Sequence, residues 1–450
     1  MSNTGHNRLR HPALWDLVSP LLPPLLSAQR ASWEQGTAAQ ALLELYHALI
    51  KESAHDNHGD TRLVEHTRET LRCIYGLCHD AIVRASTDGR LGTRINSNDA
   101  GDGDGSSLDP ACVGEAALFV LEKHEKQSTT YEEFSKLLHW HDSLEKMLSY
   151  LENGAPRIEF VPDVNPDPPL RTEGAISHLK TRCELWADGV YMGPPFLAVM
   201  ALSDPEVTKL QLDERISLVS SSFDQIILYG RALGNAGSGL MSHTYTETSG
   251  NSFNPPGGGK YGRKAWGVGN GWFACGILRV LKIFERTIKR HNVQSMWAKE
   301  WLDMDRDAQN RLTEVWELLI SLIDHILPHQ RKEDRLFHNI IDDGTTFVEV
   351  NLAQMMASTI YDLLSWYDSN GRPIGHLAKY LSLSLDGKNI RPYKAAAEWM
   401  RYSAREKRDC WGFVQGVCGS PRFDKPGTAA EGQAWAIMME VSRWNYLSSL

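Results

Sequence analysis

Helical periodicity, interrupted by a few long loops, is the feature that most constrains the fold of this 450-residue sequence. One apolar stripe repeats at the i, i+3, i+4, i+7 spacing of a helix face and comprises Leu312, Val315, Trp316, Leu319, Leu322, Ile323 and Ile326. Similar patterns predict helices near 42–49, 62–85, 110–125, 131–152, 192–202, 219–227, 271–291, 352–367, 374–384, 391–404 and 428–447. Because alternating strand patterns are nearly absent, we expect an all-α protein.

Four long segments rich in Gly, Pro, Asn and Asp separate the helices: residues 88–109, 153–171, 236–270 and 406–427. Long loops inside a compact domain are usually functional or disordered. They recur between helix pairs, and no linker divides the chain, although its length alone would suggest two or three domains. We therefore expect one domain over residues 1–450. It would be a ring of helical hairpins with loops around a central cavity, and residues 1–30 would form an extension or first helix.

Composition excludes several classes of protein. The net charge of −9 lacks the broad positive field that sequence-independent nucleic-acid binding requires. No run of 18 apolar residues predicts a membrane span, and Asp16 and three prolines interrupt the apolar segment 17–26 that faintly resembles a signal peptide. The seven cysteines are dispersed and lack CxxC spacing, which favours reduced thiols. We expect a cytoplasmic protein without a nucleic-acid or membrane partner, and its oligomeric state stays open.

Several short motifs resemble cofactor or metal sites, but each lacks an essential residue. Gly257–Lys260 is not preceded by the glycine of a phosphate loop or followed by its Ser/Thr. Asp102–Gly105 has alanines at two calcium-ligand positions, and Gly267–Gly271 follows no strand that could begin a dinucleotide site. His139 and His141 lie on different faces of a helix. We predict neither a cofactor nor a metal.

A carboxylate beside tryptophan is the first candidate for chemistry. Asp188 follows Trp186 and precedes the apolar start of a helix at Met192. Such surroundings would partly desolvate the carboxylate and raise its pKa, as a general acid near neutral pH requires. The alternative is that Asp188 only caps the helix.

Other segments have equally open interpretations. Trp266 and Trp272 flank a glycine-rich turn and could form walls for sugar rings or pack in the core. His243 lies in a loop, where it could bind substrate or simply face solvent. Asp109 could be functional or an N-cap, and Thr428 with Glu431 has the form of a capping box. Five other tryptophans are predicted to be core residues: Trp297, Trp301, Trp316, Trp366 and Trp399.

Together and in this order, these segments resemble the unsaturated uronyl hydrolases of glycoside hydrolase families 88 and 105. The resemblance is closer to family 105, the unsaturated rhamnogalacturonyl hydrolases, and it includes Phe347–Val350. It implies an (α/α)6 barrel. It also implies a polysaccharide-degrading hydrolase whose oligosaccharide substrates end in a 4,5-unsaturated galacturonyl or glucuronyl residue.

The resemblance also implies roles for individual residues. Asp188 corresponds to the general acid/base that protonates the C4–C5 double bond, and Asp109 to a second carboxylate that orients the substrate or the acid. Further residues expected to bind substrate are His243, Trp266, Trp272, Trp186 and, less directly, His178 and Trp33.

One position departs from the family pattern, because Val268 stands where an arginine is common. Arg263 from the same loop is expected to replace it, since a guanidinium binds a carboxylate bidentately. Basic residues near the motifs would offset the acidic net charge: Arg171, Lys180, Arg182, Arg263 and Lys264. If none of these basic residues reaches the site, we expect a substrate whose carboxylate is masked or whose aglycone is different. An inverting glycosidase, an epimerase and a non-catalytic sugar-binding protein are the alternative functions.

Overall fold

The structure, a computed structural model, describes residues 13–55, 60–92, 105–127, 138–159, 174–181, 183–246, 262–290, 293–380, 382–383, 385, 387–420 and 422–450. The helices are α1 Leu14–Val18, α2 Leu22–Ala28, α3 Ser32–His55, α4 Thr61–Val83, α5 Gly114–Gln127, α6 Leu138–Ser149, α7 Gly189–Met192, α8 Pro194–Leu202, α9 Pro205–Thr208, α10 Leu212–Leu233, α11 Gly267–Lys289, α12 Val293–Met304, α13 Arg306–Ile326, α14 Asn351–Leu364, α15 His376–Tyr380, α16 Gly387–Arg405 and α17 Ala430–Ser449. Short 3₁₀ turns span Ser19–Leu21, Asp109–Val113 and Leu327–His329, and a π turn spans Tyr150–Gly154.

Within these residues, six helices form a closed inner ring. In chain order they are α3, α5, α8, α11, α14 and α17, each contacting the next, and α17 returns to contact α3. On the outside, α4, α6, α10, α13 and α16 each pack on the inner ring, with α4 against both α3 and α5, while α1 and α2 pack on α17. The predicted (α/α)6 barrel is confirmed, and its sixth outer position is filled by the N-terminal helices.

Burial follows from the layer in which each helix lies. The predicted stripe on α13 is buried from Leu312 to Ile326, as expected for an outer helix with one face on the core. In contrast, every residue of the inner helix α14 is buried, because its neighbours cover it on all sides. Of the tryptophans predicted to be core residues, four are buried, but Trp399 is 55% exposed on the outer helix α16.

Three two-stranded antiparallel ribbons fix the loops at the site. They pair β1 Arg157–Ile158 with β2 Ala175–Ile176, β3 Glu184–Trp186 with β4 Thr244–Thr246, and β5 Phe337–His338 with β6 Val348–Glu349. In the middle ribbon Trp186 lies opposite Thr244, and the Ala187 amide donates to the His243 carbonyl at 2.9 Å. This register brings the Asp188 and His243 segments side by side.

The start of α11 differs from the prediction. The glycine-rich segment predicted to be a turn is the first part of this helix, which begins at Gly267. Tertiary packing explains the glycines better than turn chemistry does, since a Cβ on Gly271 would lie 2.7 Å from the Met355 sulfur atom. The helix α12 was not predicted at all. No helix within the described ranges is long and apolar enough to cross a membrane.

Candidate active site

A cavity of about 310 Å³ lies where the long loops meet the inner helices. Its walls include residues of three of the four predicted loop regions, of the segment 178–188 and of α3, α7, α11 and α17. They are Trp33, Ser106, Asp109, His178, Leu179, Trp186, Asp188, Met192, His243, Trp266, Val268, Trp272, Cys418, Phe423 and Glu431. Every predicted site residue except Arg263 is in this set.

Asp188 occupies the junction between β3 and α7. Its side chain makes no capping hydrogen bond to α7, so the interpretation of Asp188 as a simple helix cap is wrong. The carboxylate oxygen Oδ1 has no hydrogen-bond partner among the described residues. Burial raises the pKa of Asp188 to about 6; the charge of His178 opposes this rise and the charge of Asp109 adds to it. The group therefore retains a proton further toward neutral pH than an ordinary aspartate does.

The second carboxylate, Asp109, is buried at the first position of the 3₁₀ turn Asp109–Val113. The hydroxyl of Ser106 accepts hydrogen bonds from the amides of Leu108 at 3.2 Å and Asp109 at 3.0 Å. Ser106 thus supplies the capping interaction that was considered for Asp109. The Nε2 atom of His178 lies 3.5 Å from Asp109 Oδ1, which brings this carboxylate into contact with a second titratable group.

Two buried histidines complete the polar part of the wall. The ring of His178 stacks on Trp186 with centroids 4.6 Å apart and planes 9° from parallel. His243 meets the edge of Trp266 at 4.5 Å and is only 5% exposed, so the surface interpretation of this histidine is wrong. Burial, with the charge of His178, lowers the pKa of His243 to about 3. His243 is therefore neutral at physiological pH and can either donate or accept a hydrogen bond.

The tryptophans combine the two roles that the sequence left open. Trp266 and Trp272 are both buried, yet both line the cavity. The indole nitrogen of Trp266 donates to Asn339 Oδ1 at 3.2 Å, which fixes its ring. Trp272 packs against Tyr191 and Trp435 with ring centroids 4.7 and 5.5 Å apart. Rigid aromatic faces of this kind suit the apolar side of a sugar ring.

Glu431 is the main cavity residue whose position the sequence interpretation missed. It does not form the predicted capping box, because α17 is preceded by Ala429 and has no side-chain cap. Its Oε1 accepts a hydrogen bond from the indole of Trp33 at 2.8 Å. Burial raises the pKa of Glu34 to about 8, and the charge of Glu431 adds to this rise. The sequence signal for this position was an acidic residue between two small residues, Ala430 and Gly432, at the start of a buried helix.

Five other wall residues were not predicted, and two of them come from the last loop, residues 406–427. The five are Ser106, Leu179, Met192, Cys418 and Phe423. Glu349 holds this last loop in place. Its carboxylate accepts hydrogen bonds from the amides of Asn351 and Leu352, both at 2.7 Å, and from the amide of Cys418 at 3.1 Å. The family-like segment Phe347–Val350 therefore supports the cavity wall from behind.

The expected basic cluster lies elsewhere in the described part of the chain. Arg263 and Lys264 are exposed and line a separate concavity of about 270 Å³ with Asp342 and Asp343. Lys180 lies 3.4 Å from Asp88. Arg171 and Arg182 are outside the described residues.

One group of three side chains within the described ranges has the spacing of a metal site. It comprises His141, Asp142 and Glu145 on α6. Two of the three are exposed, none lines the cavity, and such groups are common on helix surfaces.

One segment of the chain matches a known protein family in sequence. Residues 152–362 match Glycosyl Hydrolase Family 88. The matched segment contains Asp188, His243 and the Trp266–Trp272 stretch. The match identifies a glycoside hydrolase and confirms the resemblance that the motifs predicted. No protein of curated function matches the chain in sequence.

Solved structures show the same fold at low sequence identity. A possible member of the GH105 family from Salmonella enterica is 14% identical, with a TM-score of 0.60 over 99% of both chains. The unsaturated glucuronyl hydrolase of Bacillus sp. GL1 is 12% identical, with a TM-score of 0.52 over 91% of this chain and 85% of its own. A protein named Polysaccharide Lyase BACCELL_00875 is 14% identical, with a TM-score of 0.59 over 97% and 98%. These likenesses show the fold, which does not by itself determine the reaction.

Proposed function

We propose that this glycoside hydrolase releases a terminal 4,5-unsaturated galacturonyl or glucuronyl residue from lyase-generated oligosaccharides, with Asp188 as general acid and base. The observation that carries the proposal is the state of Asp188: a carboxyl group with raised pKa and an unpartnered oxygen in an aromatic cavity. A cytoplasmic location and a single domain over residues 1–450 belong to the same proposal. Fragments of rhamnogalacturonan are the first substrates to test.

The reaction begins with proton transfer. Protonated Asp188 gives its proton to C4 of the unsaturated ring, and the C4–C5 double bond becomes a C5 cation shared with the ring oxygen. The resulting Asp188 carboxylate then takes a proton from water while the water oxygen bonds to C5. The product is a hemiketal, and Asp188 is protonated again for the next cycle.

Cleavage of the glycosidic bond follows from the chemistry of that hemiketal. The bond from C5 to the ring oxygen breaks, C5 becomes a ketone, and the former ring oxygen becomes a hydroxyl on C1. That hydroxyl makes C1 a hemiacetal, which collapses to an aldehyde and expels the remaining sugar as an alcohol. One water molecule is consumed, and no nucleophile attacks C1 directly, unlike in ordinary glycosidases with two carboxylates.

Neighbouring side chains suit this sequence of steps. Asp109 contributes a negative charge that helps keep Asp188 protonated and would stabilise the positive charge developing at C5. His243, which is neutral, can hold the attacking water through a ring nitrogen. Trp266 and Trp272 can cover the ring face and exclude bulk water.

The direct test follows the ultraviolet absorbance of the conjugated double bond in unsaturated disaccharides made by polysaccharide lyases. Asp188→Asn should lower kcat by at least ~10²-fold, the range expected for a positioned acid/base. Asp142→Asn, an exposed aspartate on α6, is the matched control and should retain full activity.

Four results would contradict the proposal. Wild-type rates in Asp188→Asn would exclude the assigned acid. Turnover of saturated aryl glycosides alone would indicate an inverting glycosidase, and binding without consumption would indicate a sugar-binding protein. Release of unsaturated products from saturated chains would indicate a lyase.

A further inference from the structure

The charge of the cavity wall constrains the substrate beyond the reaction class. The fifteen residues that line the cavity include three carboxylic acids, Asp109, Asp188 and Glu431, and two histidines. Neither lysine nor arginine is among them within the described residues. His243 is held neutral by burial, so it does not compensate the acids. The positive charge that His178 can carry faces Asp109, whose Oδ1 lies 3.5 Å from the His178 Nε2 atom. The described wall thus offers acids but no lysine or arginine to a substrate carboxylate, in a molecule whose net charge is −9.

Val268 makes part of the cavity wall apolar at a position where a basic side chain could bind a substrate carboxylate. It is the second residue of α11, is 2% exposed, and lies between Trp266 and Trp272 in sequence. Its isopropyl group offers no hydrogen bond to a carboxylate. An ionised carboxylate that leaves water for a surface of this kind loses its hydration without replacement.

The basic residues of this loop that are nearest to Val268 in sequence, Arg263 and Lys264, do not line the cavity. Arg263 and Lys264 line the separate concavity that also contains Asp342 and Asp343. Hydrogen bonds from Thr345 lower the pKa of Asp343, and the charge of Lys264 adds a smaller lowering. Both are exposed, whereas the cavity wall begins at the buried Trp266. Their positions thus separate the basic side chains from the acid at Asp188.

Glu431 is the third acid of the cavity wall, and its charge acts on the buried Glu34. Burial raises the pKa of both carboxyl groups, and the charge of Glu431 raises that of Glu34 further. The Oε2 atom of Glu431 has no hydrogen-bond partner in the part of the chain that the structure describes. A sugar hydroxyl, which can donate or accept, fits that oxygen in either protonation state.

Resting on the proposed function, we infer that the preferred substrate carries its terminal 4,5-unsaturated uronyl residue as an uncharged ester rather than as a free carboxylate. A methyl ester keeps the double bond that Asp188 protonates and removes the charge that the acidic wall disfavours. The ester methyl group can also pack against an apolar side chain such as Val268. A lyase that cleaves esterified polyuronides by β-elimination is the class of reaction that supplies such an end.

The test compares unsaturated digalacturonate with its unsaturated ring as the free acid or as the methyl ester. We expect kcat/KM for the ester to exceed that for the acid by at least tenfold. Acid-catalysed hydrolysis in solution is the control for intrinsic reactivity, because an ester destabilises the C5 cation more than a carboxylate does. Mass spectrometry of the products checks that the ester bond itself stays intact.

Variants at position 268 separate charge from size. Val268→Arg should shift the acid-to-ester ratio of kcat/KM toward the acid by at least tenfold, and Val268→Leu should leave the ratio within twofold. If Val268→Arg does not fold, the wild-type ratio still decides. Equal or preferred turnover of the acid overturns this inference and leaves the proposed function standing, whereas turnover of neither substrate overturns the proposed function and the inference with it.

Discussion

Replacing Asp188 by asparagine should make the protein more stable while it makes the enzyme inactive. Burial raises the pKa of this carboxyl from an ordinary 3.8 to about 6 in the folded state. Because the folded state holds the proton more tightly than the unfolded state, stability is full below pH 4 and is lost as the pH rises through 6. The difference between the two pKa values corresponds to a loss of about 3 kcal/mol above pH 7.

Asparagine occupies nearly the same volume and cannot ionise, so Asp188→Asn avoids that loss. For a chain of this length, a gain of about 3 kcal/mol corresponds to a rise in Tm of about 3 °C. Differential scanning calorimetry at pH 4 and pH 7.5 measures it, with Asp142→Asn as the exposed control. We expect the two proteins to have equal Tm values at pH 4 and the variant to have the higher value at pH 7.5. An unchanged or lower Tm at pH 7.5, or the same gain at both pH values, would refute the assignment of a buried, ionising Asp188.

Three further predictions follow from other parts of the structure. The kcat/KM of the wild type should fall about tenfold per pH unit above pH ~6, because only protonated Asp188 is active; a flat profile to pH 8 contradicts this. Gly276→Ala should cost more than ~2 kcal/mol and lower activity, since its Cβ would meet the Val190 backbone at 2.5 Å. Gly76→Ala, whose added Cβ would meet no other part of the protein within 4 Å, should stabilise by about 0.5–1 kcal/mol. Urea titration measures the free energy of unfolding of both variants. Glu349→Ala should lower Tm and activity together by freeing three amides, whereas Glu333→Ala on the surface should change neither.

The layers of the barrel were predictable from local pattern, but the boundaries inside it were not. The stripe from Leu312 to Ile326 identified α13 because an outer helix has one apolar face and a clear period. The start of α11 was misread as a turn because Gly267 and Gly271 reflect close contact with Asn339 and Met355, which are distant in sequence. Local propensity carries no information about such contacts.

The site residues were predictable as a set, and their individual states were not. The motif around Asp188 and the loop containing His243 were correctly brought to one cavity with the Trp266–Trp272 segment. The burial of His243 and the hydrogen bond from Trp33 to Glu431 depend on how separate loops meet. Arg263 was predicted to bind substrate because it is close to Val268 in sequence, but the backbone places it at a separate concavity.

The hydrogen bond between Trp33 and Glu431 joins residues 398 positions apart, so it has a consequence for the order of folding. Each helical hairpin can form early from contacts within a short stretch of chain. The cavity wall cannot be complete until the last inner helix has docked beside the first, a closure of high contact order. During refolding, helical circular dichroism should therefore recover before enzymatic activity, and the late phase should be the one that joins the two ends of the ring.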